Sequence, residues 1–97
     1  MLHTVNKSPF QNSSLESCLR FVLPGDVILL LEDGAIAAAA GTAKSSLIEG
    51  ILKKNSVYVI GADLKARGLT QTIKGVQVTD YAGFVDLVEK HKTHAWL

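Results

Sequence analysis

An uninterrupted apolar run in the first third of the chain reads Val27-Ile28-Leu29-Leu30-Leu31 and is followed directly by Glu32-Asp33-Gly34. A strand with one wet face alternates apolar and polar residues, but this run has no polar position. It therefore predicts a parallel strand that is covered on both faces of the sheet. The two acidic residues and the glycine mark its carboxyl end, which is where parallel sheets usually present a ligand or partner crevice.

Strand-like and helix-like segments alternate on both sides of this run. Further strands are predicted at residues 2–5, 57–60 and 76–78. Helices are predicted at residues 15–22, 35–40, 47–54, 64–67 and 81–88, whereas the apolar tail at residues 94–97 is too short for an element of its own. The βαβα order predicts one α/β domain over residues 1–97, with a mostly parallel sheet flanked by helices on both faces in a flavodoxin-like three-layer arrangement.

Polar residues at the helix starts have two possible roles. Ser13 and Glu16 have the S-x-x-E spacing of a capping box, in which both side chains accept from free N–H groups at a helix start. Asp33, Asp63 and Asp80 each stand where an N-cap is needed, and we favour capping for them. An acid–base pair is the alternative, because the carboxyl ends of parallel strands bring such carboxylates to one crevice.

Composition limits the class of protein. Hydrophobic residues make up 47% and charged residues 20% of the 97 positions, and the net charge is +1. The mean hydropathy of +0.24 has two open explanations: apolar surface that other subunits cover, or very apolar central strands. There is no basic stripe with aromatics, so direct nucleic-acid binding is disfavoured. No membrane span or signal peptide is evident, and one cysteine suits a reducing compartment, so we expect a cytoplasmic protein.

Cys18 is the only candidate nucleophile of the thiol type. A reactive cysteine needs a helix N-terminus, a nearby cation or solvent access to stabilise its thiolate. Cys18 instead shares the apolar face of the first helix with Leu15, Leu19 and Val22. We therefore expect a packing role, and the alternative is a self-sufficient sulfurtransferase that carries persulfide on Cys18.

No metal or cofactor is predicted. His91 and His94 are spaced i, i+3, but no third or fourth ligand of a zinc site accompanies them. The stretch Gly41-Thr42-Ala43-Lys44-Ser45 lacks the glycine spacing of a phosphate-binding loop and follows a helix instead of a strand.

The candidate interface or crevice residues lie at the strand ends and in the tail. They are Glu32, Asp33, Gly34, Asp63, Lys65, Arg67 and Trp96. Lys65 and Arg67 either meet an acidic partner surface or form a solvated helix face. The indole of Trp96 either docks on the chain's own core or inserts into another subunit.

Several segments together carry a family resemblance. They are Leu2-His3-Thr4 with Ser8-Pro9, Leu30-Leu31-Glu32-Asp33-Gly34, Asp63-Leu64-Lys65-Ala66-Arg67-Gly68-Leu69, Asp80-Tyr81-Ala82-Gly83-Phe84-Val85, and Ala95-Trp96. Each is weak alone, but in this order they resemble the DsrH/TusB family from the first residue to the last.

The resemblance implies a DsrE-like fold and a heterohexamer with two copies each of three homologous small subunits. Such a complex passes persulfide sulfur from an upstream to a downstream carrier protein, either for 2-thiolation of the tRNA wobble uridine or in dissimilatory sulfur oxidation. The resemblance places the transferring cysteine on a sister subunit, in a strand–helix loop that corresponds here to the thiol-free residues 61–63. This chain is therefore expected to be a structural and docking component of a sulfurtransferase complex. A cysteine at position 18 resembles the sulfur-oxidation branch more than the tRNA branch.

Overall fold

A five-stranded parallel sheet organises the computed structural model, which describes residues 1–97. Its strands are β1 (Leu2–Val5), β2 (Val27–Leu30), β3 (Ser56–Ile60), β4 (Gln77–Thr79) and β5 (Thr93–Trp96), in the spatial order β4-β3-β2-β1-β5. Its helices are α1 (Ser14–Phe21), α2 (Ser45–Ile51), α3 (Gly61–Ala66) and α4 (Tyr81–Lys90), and a 3₁₀ segment spans Glu32–Ala38. The predicted α/β fold with a parallel sheet and helices on both faces is confirmed.

The apolar run forms the central strand. β2 pairs in parallel with β1 on one side and with β3 on the other. All four residues of β2 are buried, because each face of the strand points into its own apolar cluster. This double burial explains why the run contains no polar position.

One face of the sheet carries most of the helices. Ile28 and Leu30 of β2 pack there in a cluster with Leu15 and Cys18 of α1 and with Ile48 of α2. The predicted helix at residues 35–40 is a tighter 3₁₀ segment at Glu32–Ala38, and its alanines join the same cluster.

Gly34 allows the 3₁₀ segment to lie against β1. A Cβ atom at this position would come within 2.0 Å of the carbonyl oxygen of Val5, so only glycine fits without moving the backbone.

The other face is covered by α4 alone. Leu2, Leu29 and Ile60 are buried on this face beneath Phe84 and Leu87. No residue of α4 is itself buried, so the outer half of the helix lies open to solvent.

The tail is a strand, and its predicted lack of structure is wrong. β5 pairs in parallel with β1, with Thr93 opposite Leu2 and Trp96 opposite Val5. The pairing partner is distant in sequence, so no local pattern signals it. Trp96 packs against the helix-rich cluster of its own chain, which corresponds to the first of the two roles left open for it.

The predicted capping box is also wrong. The Ser13 side chain makes no capping bond; instead Asn12 Oδ1 accepts from the Ser14 backbone N–H at 2.7 Å. Glu16 is drawn away to Lys44, whose Nζ lies 3.0 Å from Glu16 Oε1.

Of the three aspartates predicted as helix N-caps, only one caps its helix. Asp80 caps α4 as predicted, because its Oδ1 accepts from the Gly83 backbone N–H at 2.8 Å. Asp33 and Asp63 do not cap their helices: the helical turns begin at Glu32 and Gly61, which places both aspartates inside the first turn.

Candidate functional site

The carboxyl ends of β2 and β3 bring most of the predicted crevice residues together. We call this group the strand-end cluster, and its members are Glu32, Asp33, Gly34, Asp63, Arg67 and Tyr81. The buried Asp63 is central to it, because Asp63 Oδ2 accepts from the Glu32 backbone N–H at 2.8 Å. Glu32 has a φ of 52°, a left-handed conformation that costs a non-glycine residue energy and needs support from its surroundings.

Arg67 joins the two strand ends. Its Nε and Nη2 both donate to Asp33 Oδ1, at 3.0 and 2.8 Å. Its Nη1 donates to the Asp63 carbonyl oxygen at 3.1 Å and lies 3.8 Å from Asp63 Oδ1. One guanidinium thus compensates two carboxylates and ties α3 to the 3₁₀ segment.

Tyr81 is a member that was not among the predicted crevice residues. Its hydroxyl donates to Asp63 Oδ1 at 3.4 Å. The negative charge of Asp63 raises the pKa of Tyr81, so the phenol stays protonated and acts as a donor. The sequence feature that could have indicated its membership is its position directly after Asp80, at the carboxyl end of β4.

Lys65 and Trp96 lie outside the strand-end cluster. Lys65 is exposed and forms no ion pair with the cluster. Trp96 belongs to β5, which is separated from β2 by β1. The cluster is therefore a rigid polar surface with a paired cation, and it contains no thiol.

Cys18 lies far from solvent. It is fully buried on α1, and burial, followed by the charge of Asp26, raises the pKa of its thiol to about 12. Persulfide transfer requires a thiolate or an exposed sulfur, and Cys18 offers neither at neutral pH.

A second polar group, missed at the sequence level, holds Trp96. Its Nε1–H donates to His3 Nδ1 at 3.1 Å, and His3 Nε2 bonds Asp26 Oδ2 at 2.9 Å. Because an indole N–H is only a donor, His3 Nδ1 accepts, which leaves its Nε2–H to donate to Asp26. The bond from His3 is the main reason that the pKa of Asp26 falls to about 2. Ninety-three positions separate His3 from Trp96, so spacing gave no signal.

An open cavity of about 400 Å³ lies beside this group. We call it the aromatic groove, and it is lined by Met1, His3, Phe21, Leu23, Asp26, His94 and Trp96. The Trp96 ring stacks on Phe21 at 5.7 Å between centroids and meets His94 edge-on at 4.7 Å.

No group of three or more His, Cys, Asp or Glu side chains is arranged to hold a metal ion. None of the helices has the length and apolar character that crossing a membrane requires.

Comparisons with known proteins identify relatives. The family model described as "DsrH like protein" matches residues 7–94. Protein TusB of Pectobacterium parmentieri is 40% identical, with 99% of this chain and 100% of that protein covered. Protein TusB of Escherichia coli K12 is 39% identical, with the same coverage of both chains.

Two solved structures share the fold. The crystal structure of the ychN protein from E. coli matches with a TM-score of 0.81 at 16% identity, over 95% of this chain and 94% of that one. The solution structure of protein Tm0979 from Thermotoga maritima matches with a TM-score of 0.63 at 23% identity, over 95% of both chains.

Proposed function

This chain belongs to the DsrH family, and on that premise we propose that it is a docking subunit of a cytoplasmic sulfur relay, in which other subunits carry the reactive cysteine. The observation that carries the proposal is a contrast within the chain. Its only thiol is fully buried with a raised pKa, while a continuous apolar strip on α4 is exposed.

The exposed strip is the proposed contact with sister subunits. Tyr81, Val85 and Val88 are 52%, 53% and 41% exposed, and their i, i+4, i+7 spacing places them on one stripe of α4. We call these three residues the helix stripe. It continues the arc whose inner half, Phe84 and Leu87, packs on the sheet. Aligned apolar side chains in solvent are typical of surfaces that a partner covers.

The strand-end cluster adjoins the helix stripe through Tyr81, which belongs to both. The cluster supplies the polar rim that interfaces usually place around an apolar centre. Asp33 and Arg67 lie at this rim and are already paired, so docking requires no new desolvation of an unpaired charge. We propose two homologous DsrE-like subunits as the partners, in a heterohexamer with two copies of each chain.

We assign the relay to 2-thiolation of the tRNA wobble uridine, with dissimilatory sulfur oxidation as the alternative. The assignment is supported by curated relatives at about 40% identity that carry the name TusB over almost the whole chain. The upstream and downstream sulfur carriers are proposed partners, and direct contact with tRNA is not proposed because the net charge is only +1.

Assembly is tested by producing the full chain together with its two homologous subunits and measuring the mass by native mass spectrometry. We expect a heterohexamer with the wild-type chain and its loss with Val85→Asp. Asp86→Ala is the matched control, because it changes an exposed residue on the polar side of the same helix. An intact hexamer with Val85→Asp contradicts the docking proposal.

The branch is tested by nucleoside mass spectrometry of tRNA from a strain that lacks this chain. Loss of 2-thiouridine derivatives, restored by the wild-type chain and not by Val85→Asp, supports the tRNA assignment. Unchanged tRNA thiolation in that strain contradicts it.

The rival function is a self-sufficient sulfurtransferase that uses Cys18. Incubation of the isolated chain with a persulfide donor, followed by intact-mass measurement, separates the two functions. The docking role predicts no added sulfur on wild type, and Cys18→Ser serves as the control. Addition of one sulfur atom to wild type alone supports the rival.

A further inference from the structure

The outer edge of β5 is an open strand edge. β5 pairs with β1 only and is the last strand on its side of the sheet. The Leu2 backbone N–H donates to the Lys92 carbonyl at 2.7 Å, and the alternation of parallel pairing then directs His94 and Trp96 backbone groups toward β1. The N–H and C=O groups of Thr93 and Ala95 therefore point outward, without a strand to bond.

The strand itself carries no blocking side chain at this edge, and the hydrogen bond from the Ser14 hydroxyl reaches the Leu97 carbonyl, which lies beyond it. Sheet edges are commonly blocked by a charged side chain, a proline or a bulge, because free backbone groups recruit other strands. The four residues of β5, Thr93–Trp96, contain neither a proline nor a lysine or carboxylate.

The aromatic groove lies on the same side of the sheet as His94 and Trp96. Phe21 and Leu23 on its wall are each 67% exposed. A strand added beside β5 would direct alternate side chains toward this face, so the groove is placed to receive one of them. At the opposite edge, no residue of β4 lines a cavity, since the chain's second cavity is lined by residues of the α2 region and of the loop before β4.

The charge around the edge selects the partner. Residues 90–97 include Lys90, Lys92 and two histidines, and they contain no acidic side chain. The charge of Asp26 at the groove floor is already paired, because its Oδ1 lies 3.1 Å from the Met1 ammonium, while its Oδ2 accepts from His3 Nε2 at 2.9 Å. Lys90 and Lys92 are therefore the charged side chains next to this edge, and no carboxylate side chain within residues 90–97 opposes them.

We propose that β5 and the aromatic groove bind an extended acidic segment of a partner protein, which pairs as a sixth strand and inserts an apolar side chain beside Phe21 and Trp96. Backbone bonds to Thr93 and Ala95 supply affinity that does not depend on side-chain sequence, and the groove and lysines supply selectivity. This surface is separate from the helix stripe, which lies on α4, so both can be occupied at once.

Trp96 is the only tryptophan of the chain, which makes its fluorescence a reporter of this site. The probe is a seven-residue peptide that alternates glutamate with valine and has a central phenylalanine, titrated into the full wild-type chain. We expect a saturable blue shift of Trp96 emission. A peptide with lysine in place of glutamate should bind at least about tenfold more weakly.

Two variants separate strand pairing from simple contact with the groove. Ala95→Pro removes an outward N–H while leaving the bonds to β1, and it should weaken binding at least about tenfold. Phe21→Ser removes an exposed wall of the groove without opening the core, and it should weaken binding similarly. Thr93→Ser keeps the backbone donors and is the matched control.

Four outcomes overturn the proposal. They are no response of wild-type Trp96 emission at millimolar peptide, equal binding of the lysine peptide, unchanged affinity in both Ala95→Pro and Phe21→Ser, and dimerisation of the chain through this edge. The last is read from sedimentation of wild type against Ala95→Pro. If Ala95→Pro does not fold, Phe21→Ser and the two peptides still decide the result.

Discussion

The left-handed backbone at Glu32 is maintained by its neighbours and not by its own side chain. The Asp63 carboxylate holds the Glu32 N–H, and Gly34 lets the following turn approach β1. Local conformational preference and tertiary bonding therefore oppose each other at this residue.

Replacing Glu32 with glycine should relieve this conflict. We expect Glu32→Gly to raise the free energy of unfolding by about 1 kcal/mol, because glycine adopts a φ of 52° without the steric cost of a Cβ. Urea denaturation measures the change. Glu32→Ala is the control and should give no gain, since alanine keeps the Cβ; a gain of the same size with alanine contradicts the explanation.

Asp26 should make stability depend on acid pH. Its pKa is lowered from 3.8 to about 2, mainly by the bond from His3, so the folded state favours the carboxylate. This contribution is complete above about 3.8 and is lost as the pH falls through the folded value near 2.

Unfolding curves between pH 5 and pH 2 test this dependence, in a range set by the usual aspartate titration. Asp26→Asn should be less stable than wild type at neutral pH and should lose less stability on acidification. Parallel pH profiles for the two proteins contradict the assignment.

At the scale of elements, β4 and α4 are coupled through one glycine. A Cβ at Gly83 would lie 2.0 Å from Thr79 Oγ1, so the start of α4 sits tightly against the end of β4. Gly50 in α2 has open space at the same position.

These two helical glycines should respond oppositely to alanine. Gly50→Ala should raise the free energy of unfolding by about 0.5–1 kcal/mol, because alanine lowers the entropy cost of helix formation. Gly83→Ala should lower it despite the same gain, and Thr79→Ala in the same chain should recover much of the loss. Thermal unfolding of wild type and of these three variants measures this, and a stabilising Gly83→Ala alone contradicts the tight packing.

How far the sequence predicts an element depends on where its partners lie. β2 was predictable because the apolar run that contains it reports burial on both faces. β5 was not, because Thr93–Trp96 is a strand only through β1, at the other end of the sequence. Asp80 was predictable as a cap for the same local reason, whereas Arg67 and Glu32 recruit Asp33 and Asp63 into longer-range bonds. The sequence thus predicted where the strand-end cluster lies but not which hydrogen bonds and ion pairs its members form. No local pattern predicted the contact between His3 and Trp96.

At the scale of the whole molecule, the sheet is covered unequally. Four helical segments share one face or its edges and α4 alone covers the other, so the exposed helix stripe accounts for part of the high mean hydropathy. The apolar central strands and the exposed helix stripe therefore both contribute to the mean hydropathy, and coverage of the stripe by other subunits stays a proposal.

The solubility of the isolated chain should be limited by this exposed apolar surface and not by the stability of its core. Val85→Lys combined with Val88→Lys should raise solubility and reduce binding of a hydrophobic dye, while changing the free energy of unfolding by less than about 0.5 kcal/mol. Phe10→Lys is the control, since Phe10 is comparably exposed at 51% but lies outside the stripe. Equal improvement by the control contradicts a special role for α4.

The pairing of β5 with β1 has a consequence during synthesis. As the nascent chain leaves the ribosome, β2 can pair with β1, β3 with β2 and β4 with β3, but one side of β1 stays bare until residues 93–96 emerge. For nearly the whole of translation, the growing polypeptide therefore exposes the unpaired edge of β1, beside the position that Trp96 later occupies. During that interval, a chaperone or another nascent chain that covers this edge would do most to prevent its pairing with the wrong strand.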